Sequence, residues 1–266
     1  MPIPNFLNSI AFKTVLRDPR VLLVRSVEGF RIVVPLDDQA AAPIVLERRY
    51  DSELSRIIGR FLDETDGLID IGANLGYFSL LAAWRYPQKP VLAIEPNPYL
   101  CTLITASIQA NGFENVRLRA TAAGAAAGYG RLELDPRRSS NAVVHEDGDR
   151  GGAELIPITT VDAIFAGLPT AVRPLLKVDV EGMEVDVLRG SSAAFGRRCP
   201  MICEVFGSSA GRLEPMLIEY GYQALTLDGT AVTTDTLARR RRSDVVLVPR
   251  ETTNALQDLL LTSRPT

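Results

Sequence analysis

The chain of 266 residues contains 46% hydrophobic and 23% charged residues, an ordinary globular composition, and its length favours one sizeable domain over two. A formal net charge of −3 gives no electrostatic reason to expect nucleic acid as the main partner. No apolar run approaches the roughly 20 residues that span a bilayer. The three cysteines lack paired spacing, so a reducing, cytoplasmic location is expected.

The first part of the chain predicts a small cap. Val21–Arg25 and Phe30–Val34 have the pattern of a β-hairpin, and a helix is predicted near Ser52–Phe61. We therefore expect residues 1–62 to form an N-terminal extension and residues 63–266 to form the main domain.

From Leu68 onward, short apolar runs alternate with helical patterns. Such alternation is typical of an α/β fold with a doubly wound, mostly parallel, Rossmann-like sheet. Ligands of these sheets bind at the carboxyl ends of the strands. The predicted strands are Leu68–Ile71, Val91–Ile94, Val116–Leu118, Leu175–Asp179, Met201–Val205 and Val245–Val248. The predicted helices are near Tyr77–Trp84, Tyr99–Asn111, Val161–Ala166, Glu184–Phe195 and Arg212–Tyr220.

One insertion interrupts this alternation. Residues Ala125–Pro157 predict a pair of strands around a polar, glycine-rich loop at Asp135–Gly152. The loop is either a lid or a disordered segment, and the sequence leaves both readings open. The only histidine, His145, lies in it and could reach over a site.

The most informative segment is LIDIGANLGYFSLL, residues 68–81. It predicts a buried strand, a tight turn at Gly72 and Gly76, and a helix from about Tyr77. Glycines without a Cβ would let the backbone bend sharply and let a ligand lie against it. The helix N-terminus presents unpaired N–H groups, which suit a carboxylate or phosphate. The segment therefore predicts a cofactor cradle.

Two cofactors suit such a cradle, a dinucleotide and S-adenosylmethionine (SAM). The dinucleotide fingerprint G-x-G-x-x-G lacks its middle glycine here, and Asp70 would repel a pyrophosphate. An acid at this position instead suits the amino group or sulfonium of SAM. Glu95, 19 residues after Gly76, can accept hydrogen bonds from the ribose hydroxyls of either cofactor. The acid favours SAM, whereas Glu95 does not discriminate.

The strings LIDIGANLGYFSL, IEPNP and LLKVDVEGMEVDVLRG resemble the FkbM-type methyltransferases, class I SAM-dependent enzymes that mostly methylate hydroxyl oxygens. With RRYDSELSRII upstream, the resemblance covers about Tyr50 to Val248. It implies a seven-stranded sheet and an O-methyltransferase that acts on a sugar, a glycan or a natural-product small molecule. The expected cofactor-binding residues are Asp70, Gly72, Asn74, Gly76, Tyr77, Phe78, Glu95 and Pro96 and, by the resemblance, Tyr50 and Glu53.

The second signature, KVDVEGME, begins with a lysine in an otherwise apolar strand. An unpaired lysine is costly to bury there. In the usual class I strand order, Lys177 lies between the strands of Asp70 and Glu204. We therefore predict a charge-assisted hydrogen bond from Lys177 to at least one of Asp70, Asp179 and Glu204.

Methyl transfer to a hydroxyl needs a base, because an alcohol is too weak an acid to react unaided. The predicted catalytic residues are Lys177 and four candidate bases, Asp179, Glu181, Glu204 and His145. Asp179 could alternatively orient the cofactor or the substrate. A Mg²⁺ site at the three carboxylates is an open alternative that we do not expect. The basic run Arg239–Arg242 is expected to be a solvated loop.

Two rival functions remain open from the residues. One is an NAD-linked oxidoreductase, which the missing glycine disfavours, and the other is a non-catalytic SAM-binding protein. The expected partner is a small-molecule or glycan acceptor. Neither nucleic acid nor membrane insertion is expected, and a homodimer is left open.

Overall fold

The computed structural model describes residues 18–135, 138–145, 154–252 and 260. Its strands are β1 (Val21–Arg25), β2 (Arg31–Pro35), β3 (Leu68–Ile71), β4 (Val91–Ile94), β5 (Val116–Arg119), β6 (Ala122–Ala123), β7 (Gly128–Asp135), β8 (Arg138–His145), β9 (Glu154–Thr159), β10 (Leu175–Val178), β11 (Met201–Phe206), β12 (Tyr222–Leu225), β13 (Ala231–Val232) and β14 (Arg242–Pro249). Its α-helices are α1 (Ala42–Glu47), α2 (Ser52–Glu64), α3 (Tyr77–Arg85), α4 (Pro98–Asn111), α5 (Val161–Phe165), α6 (Glu184–Arg189), α7 (Ser192–Gly196), α8 (Gly207–Tyr220) and α9 (Thr234–Ala238).

The main sheet confirms the predicted α/β fold. Its strand order is β13-β12-β14-β11-β10-β3-β4-β5, and the five strands from β11 to β5 are parallel. Strand β14 runs antiparallel to both of its neighbours. The two-residue strand β13 extends the expected seven strands to eight at one edge. As predicted, β10 lies between β3 and β11.

Apolar side chains from the sheet alternate between two cores, one on each face. In β10, Leu175 packs into the core beneath the N-terminal hairpin, whereas Leu176 and Val178 pack into the opposite core. The first core also contains Phe30 of the hairpin and Phe61 of α2, both fully buried. The N-terminal extension therefore shares a hydrophobic core with the main sheet.

The insertion forms a second sheet with strand order β6-β9-β7-β8. The predicted polar loop over Asp135–Gly152 is wrong at its centre, because β8 pairs antiparallel with β7. The β-branched residues Val143 and Val144 favour this extended conformation. His145 therefore belongs to a strand, opposite Arg131, rather than to a loop. The remaining loop residues and the His145 side chain lie outside the described part of the chain.

The helices differ from prediction mainly at their ends. The helix expected over Glu184–Phe195 is two helices, α6 and α7, separated at Gly190. A Cβ on Gly190 would come within 2.3 Å of the Gly124 carbonyl oxygen, so that residue must stay small. Helix α8 begins at Gly207, five residues before Arg212, the predicted start. Within the described residues, we find no helix with the length and apolarity needed to cross a membrane.

Candidate functional site

The main cavity opens where β3, β4, β10 and β11 end. It contains about 780 Å³ of space, part of it open to solvent, and its wall includes residues that directly follow three of these strands. A smaller cavity of about 340 Å³ adjoins it, and the two share Tyr50, Gly72, Asn74 and Asp179. This is the strand edge where the sequence predicts a cofactor site.

Glycines in the turn after β3 allow the protein to pack closely against itself. Gly72 (φ 76°) and Gly76 (φ 78°) both have left-handed backbones. A Cβ on Gly72 would lie 1.8 Å from the Asp179 carbonyl oxygen, and one on Gly76 would lie 3.0 Å from Ile104. These glycines admit the loop after β10 and helix α4. Gly72 also lines both cavities, so its role in making room for a ligand stays a prediction.

Glu95 closes one end of the main cavity. Its carboxylate accepts hydrogen bonds from the backbone N–H groups of Asn74 (2.8 Å) and Asn97 (2.9 Å). The residue is only 4% exposed, and burial raises the pKa of its carboxyl to about 7 although both N–H groups lower it. A carboxylate has about four acceptor positions, so Glu95 can accept further hydrogen bonds.

The side chain of Asn74 has an unsatisfied acceptor at the same end. Its Oδ1 is buried and accepts no hydrogen bond from the described residues. Asn74 lines both cavities, and its backbone is left-handed (φ 54°). A buried orphan oxygen is costly, so a ligand that donates a hydrogen bond there would be stabilised. Together, Asn74 and Glu95 suit a ligand with several hydroxyl or amino donors.

Asp70 lies behind the cavity rather than in its wall. Its side chain is fully buried, accepts a hydrogen bond from Ser79 Oγ (2.7 Å) and faces Lys177 Nζ at 3.4 Å. The predicted direct contact between Asp70 and a cofactor is therefore corrected, because this carboxylate has no surface exposed to the cavity. Its hydrogen bond with Ser79 and its ion pair with Lys177 explain the buried position of this carboxylate.

Lys177 makes the predicted ionic contacts. Its Nζ lies 3.4 Å from Asp70 and 3.3 Å from Asp179, and 5.5 Å from the centre of the Phe78 ring. Burial alone would lower the pKa of Lys177, but the two carboxylates raise it above its ordinary value. The lysine is therefore a buried cation that holds β3 and β10 together and places a positive charge next to Asp179.

Glu204 lies at the other end of the main cavity, near the end of β11. One of its oxygens faces Arg242 Nη1 at 3.1 Å, while Oε2 is buried and has no hydrogen-bond partner among the described residues. Burial raises the pKa of Glu204 to about 8, followed by repulsion from Asp179, while Arg242 lowers it. Asp244 is its register partner on β14 and adds to the repulsion.

Arg242 is a site residue that the sequence did not predict. The basic run was expected to be a solvated loop, yet Arg242 begins β14 and lines the main cavity. Because β14 is antiparallel, its first residue lies at the edge where the parallel strands end. The direction of that strand was the missing information.

The loop after β10 supplies Glu181, which lines the main cavity with φ 55°. Glu184 follows and is buried; its carboxylate accepts hydrogen bonds from the backbone N–H groups of Gly182 (2.8 Å) and Val180 (3.3 Å). These contacts agree with the expectation that Glu184 is structural. Among the described residues, no group of three or more His, Cys, Asp or Glu side chains is arranged to hold a metal ion.

Aromatic residues cover the smaller cavity. The ring of Tyr50 lies 5.9 Å from that of Tyr77 and 5.8 Å from that of Phe78, and all three line this cavity. Pro96 lines the main cavity, and its contact with a cofactor stays a prediction. Glu53 is exposed in the first turn of α2 and lines neither cavity, so its predicted place at the cofactor is corrected.

A family comparison agrees with this geometry. The model of the methyltransferase FkbM domain matches residues 70–224, more than half of the chain, including both ends of the main cavity. The protein belongs to the FkbM methyltransferase family.

Three proteins similar to this FkbM-family protein are named as methyltransferases. It is 27% identical over 142 residues to Methyltransferase 1 of Beauveria bassiana, covering 46% of this chain and 57% of that one. It is 29% identical over 153 residues to Methyltransferase sdnD of Sordaria araneosa, covering 46% and 59%. It is 24% identical over 187 residues to hexuronic acid methyltransferase AglP of Haloferax volcanii, covering 70% and 74%. The chain thus spans less than two thirds of the first two relatives.

Solved structures are more distant. The TYW2 protein of M. jannaschii in complex with AdoMet has a TM-score of 0.44 and 13% identity, covering 86% of this chain and 84% of that one. A precorrin-6y C5,15-methyltransferase from Geobacter metallireducens GS-15 has a TM-score of 0.43 and 14% identity, covering 76% and 91%.

Proposed function

We propose that this FkbM-family protein is a SAM-dependent O-methyltransferase that acts on a hydroxyl group of a sugar, a glycan or a natural-product small molecule. One observation carries the proposal. The main cavity has a different carboxylate at each end. Glu95 is held by two backbone N–H groups, whereas Glu204 has a buried oxygen without a hydrogen-bond partner among the described residues. The first end suits a nucleoside, and the second suits a hydroxyl group that must lose its proton.

The residues at the Glu95 end fit SAM. Glu95 has acceptor capacity for ribose hydroxyls, and Asn74 Oδ1 receives no hydrogen bond from the part of the chain that the structure describes. Helix α3 begins at Tyr77 beside this end, and its first N–H groups suit a carboxylate. When bound, SAM supplies a methyl group activated by its attachment to a sulfonium. At this end, the residues of the chain bind SAM and orient it.

The residues at the Glu204 end fit proton removal from an acceptor hydroxyl. A general base works best when its pKa is near the operating pH, and the pKa of Glu204 is about 8. Its Oε2 is the atom that we assign to take the proton. Asp179 already faces Lys177 Nζ at 3.3 Å, whereas Glu204 Oε2 has no hydrogen-bond partner among the described residues. We therefore assign Asp179 an orienting role toward the acceptor.

The acceptor class rests on the family and on one relative. AglP is named for a hexuronic acid, a hydroxylated sugar acid. The polar wall of the main cavity, with Asp179, Glu181 and Glu204, suits an acceptor with several hydroxyl groups. The proposal therefore includes a small-molecule or glycan acceptor, together with a cytoplasmic location.

Calorimetry with S-adenosylhomocysteine (SAH) and with NAD tests the donor. We expect SAH to bind and NAD not to bind. Binding of NAD without binding of SAH would favour the alternative hypothesis, an NAD-linked oxidoreductase. Transfer of labelled methyl groups from SAM to hexoses, hexuronic acids and polyketide-type alcohols then tests the activity. SAH binding without transfer to any of them would support the non-catalytic reading.

A further inference from the structure

The β1–β2 turn is tied to the cavity by a buried glutamate that has no role in the proposed chemistry. The Glu28 side chain is only 7% exposed and lines neither cavity. One of its oxygens accepts a hydrogen bond from the Tyr77 hydroxyl (3.0 Å), and the other faces Arg49 Nε at 3.4 Å. A carboxylate buried this deeply needs such partners, so its position is tightly defined.

The partners of Glu28 belong to two segments, and both segments line the smaller cavity. Tyr77 is the first residue of α3, and Arg49 directly precedes Tyr50 in the loop between α1 and α2. The ring of Tyr50 also packs against the ring of Tyr77, with 5.9 Å between the ring centres.

The turn also holds the loop that carries Tyr50 by a backbone hydrogen bond. Arg48, the left-handed C-cap of α1 (φ 57°), lies at the start of that loop. The carbonyl of Arg48 accepts a hydrogen bond from the backbone N–H of Val27 (2.9 Å), the residue before Glu28. The turn therefore holds the loop at two consecutive residues, Arg48 and Arg49, immediately before Tyr50.

We propose that Glu28 is a positioning residue for donor binding. It fixes Tyr50 against the first turn of α3, so that occupancy of the cavity and the position of the β1–β2 turn depend on each other. This inference rests on the proposed SAM site. Such coupling is reciprocal, because a contact that favours the bound arrangement must also be favoured by binding.

The chain contains its own reporter for this coupling. Its single tryptophan, Trp84, lies directly against the turn, since a Cβ on Gly29 would be 3.0 Å from the Trp84 ring. Trp84 belongs to α3, the helix that begins at Tyr77. A shift of the turn relative to α3 changes the surroundings of this half-exposed indole. We therefore expect SAH to change the fluorescence of Trp84.

The test measures SAH affinity by calorimetry and Trp84 fluorescence on the full chain. We expect Glu28→Ala to bind SAH about tenfold more weakly, equivalent to about 1.4 kcal/mol, and to lose most of the fluorescence change. Glu28→Gln, whose amide oxygen can still accept from Tyr77, should restore affinity to within about threefold of the wild type. Glu47→Gln, at an exposed glutamate of α1, is the matched control and should behave like the wild type.

The possible outcomes separate this inference from the proposed function. If the wild-type chain does not bind SAH, the SAM proposal itself fails. If the wild type binds SAH but its fluorescence is unchanged, or Glu28→Ala retains both wild-type affinity and signal, the coupling is refuted. Thermal unfolding checks that each variant folds. Should Glu28→Ala not fold, Tyr77→Phe keeps the aromatic ring, removes the hydrogen bond to Glu28, and is expected to show the same two losses.

Discussion

The two ends of the main cavity carry glutamates with similar burial and different bonding. Glu95 and Glu204 are 4% and 8% exposed, both lie near the carboxyl end of a parallel strand, and burial raises the pKa of both. Glu95 receives two backbone hydrogen bonds, whereas Glu204 faces one arginine and keeps a buried oxygen without a hydrogen-bond partner among the described residues. Hydrogen bonding, rather than burial, therefore distinguishes the carboxylate that we propose binds the donor from the one that we propose takes the proton.

Lys177 is paired with two aspartates close to these glutamates. Its single positive charge faces both Asp70 and Asp179, and Asp179 lines the same cavity as the two glutamates. Removing each group in turn should therefore damage a different property.

Glu204→Gln should lower turnover by about 10²–10⁴-fold, because it removes the proposed base. Its SAH affinity should stay within about threefold of the wild type, since we place Glu204 outside the donor end. Rates with the best acceptor of the transfer assay and calorimetry provide the two numbers. Glu181→Gln is the matched control, with less than about tenfold loss of rate. Turnover retained within tenfold in Glu204→Gln would move the base to another group.

Lys177→Ala should destabilise the fold by about 3–5 kcal/mol, because the fully buried Asp70 loses its cation. Urea unfolding followed by circular dichroism measures this free energy. The control is Arg189→Ala, which removes an exposed pair with Asp186 and should cost less than about 1 kcal/mol. Equal losses in the two variants would mean that Lys177 contributes no more than a surface charge.

Glu95→Ala should weaken SAH binding by at least about tenfold, because ribose hydroxyls lose their acceptor and the N–H groups of Asn74 and Asn97 lose theirs. The comparison variant is Glu53→Ala, at an exposed glutamate outside both cavities, whose affinity should be unchanged. Calorimetry measures both. A similar loss of SAH affinity in the two variants would mean that Glu53 belongs to the cofactor site.

The pH dependence should single out Glu204. Its pKa is about 8 in the folded chain against an ordinary value of 4.5, so the folded state holds a proton that the unfolded state releases. The unfolding free energy of the wild type should therefore fall with rising pH across that window, relative to Glu204→Gln. Turnover, which needs the ionised base, should rise toward pH about 8. Glu95, whose pKa is also raised, to about 7, contributes a similar fall in both proteins. Urea unfolding should therefore show a smaller fall in the variant, and rate profiles should lack the rise of turnover toward pH about 8.

The sequence predicted the fold well where one local pattern was sufficient. The runs at β3, β4 and β10 are apolar strands buried on both faces, and the order of β3, β10 and β11 placed Lys177 correctly between its partners. Strand β8 was missed because its polar flanks outweighed a short β-branched stretch.

The site was predicted less completely, because side-chain direction and strand direction are properties of the folded chain. Asp70 has the right sequence position for a cofactor contact, yet it points toward Ser79 and Lys177. Arg242 reaches the cavity only because β14 is antiparallel. The contact of Glu28 with Tyr77 joins residues 49 positions apart, which no local motif could indicate.

A crystal structure of the protein with SAH would test the division of the cavity most directly. We predict the ribose hydroxyls within hydrogen-bond distance of Glu95 and the sulfur directed toward the part of the cavity lined by Asp179 and Glu204. An SAH molecule with its ribose away from Glu95, or with its sulfur directed away from both carboxylates, would contradict the account.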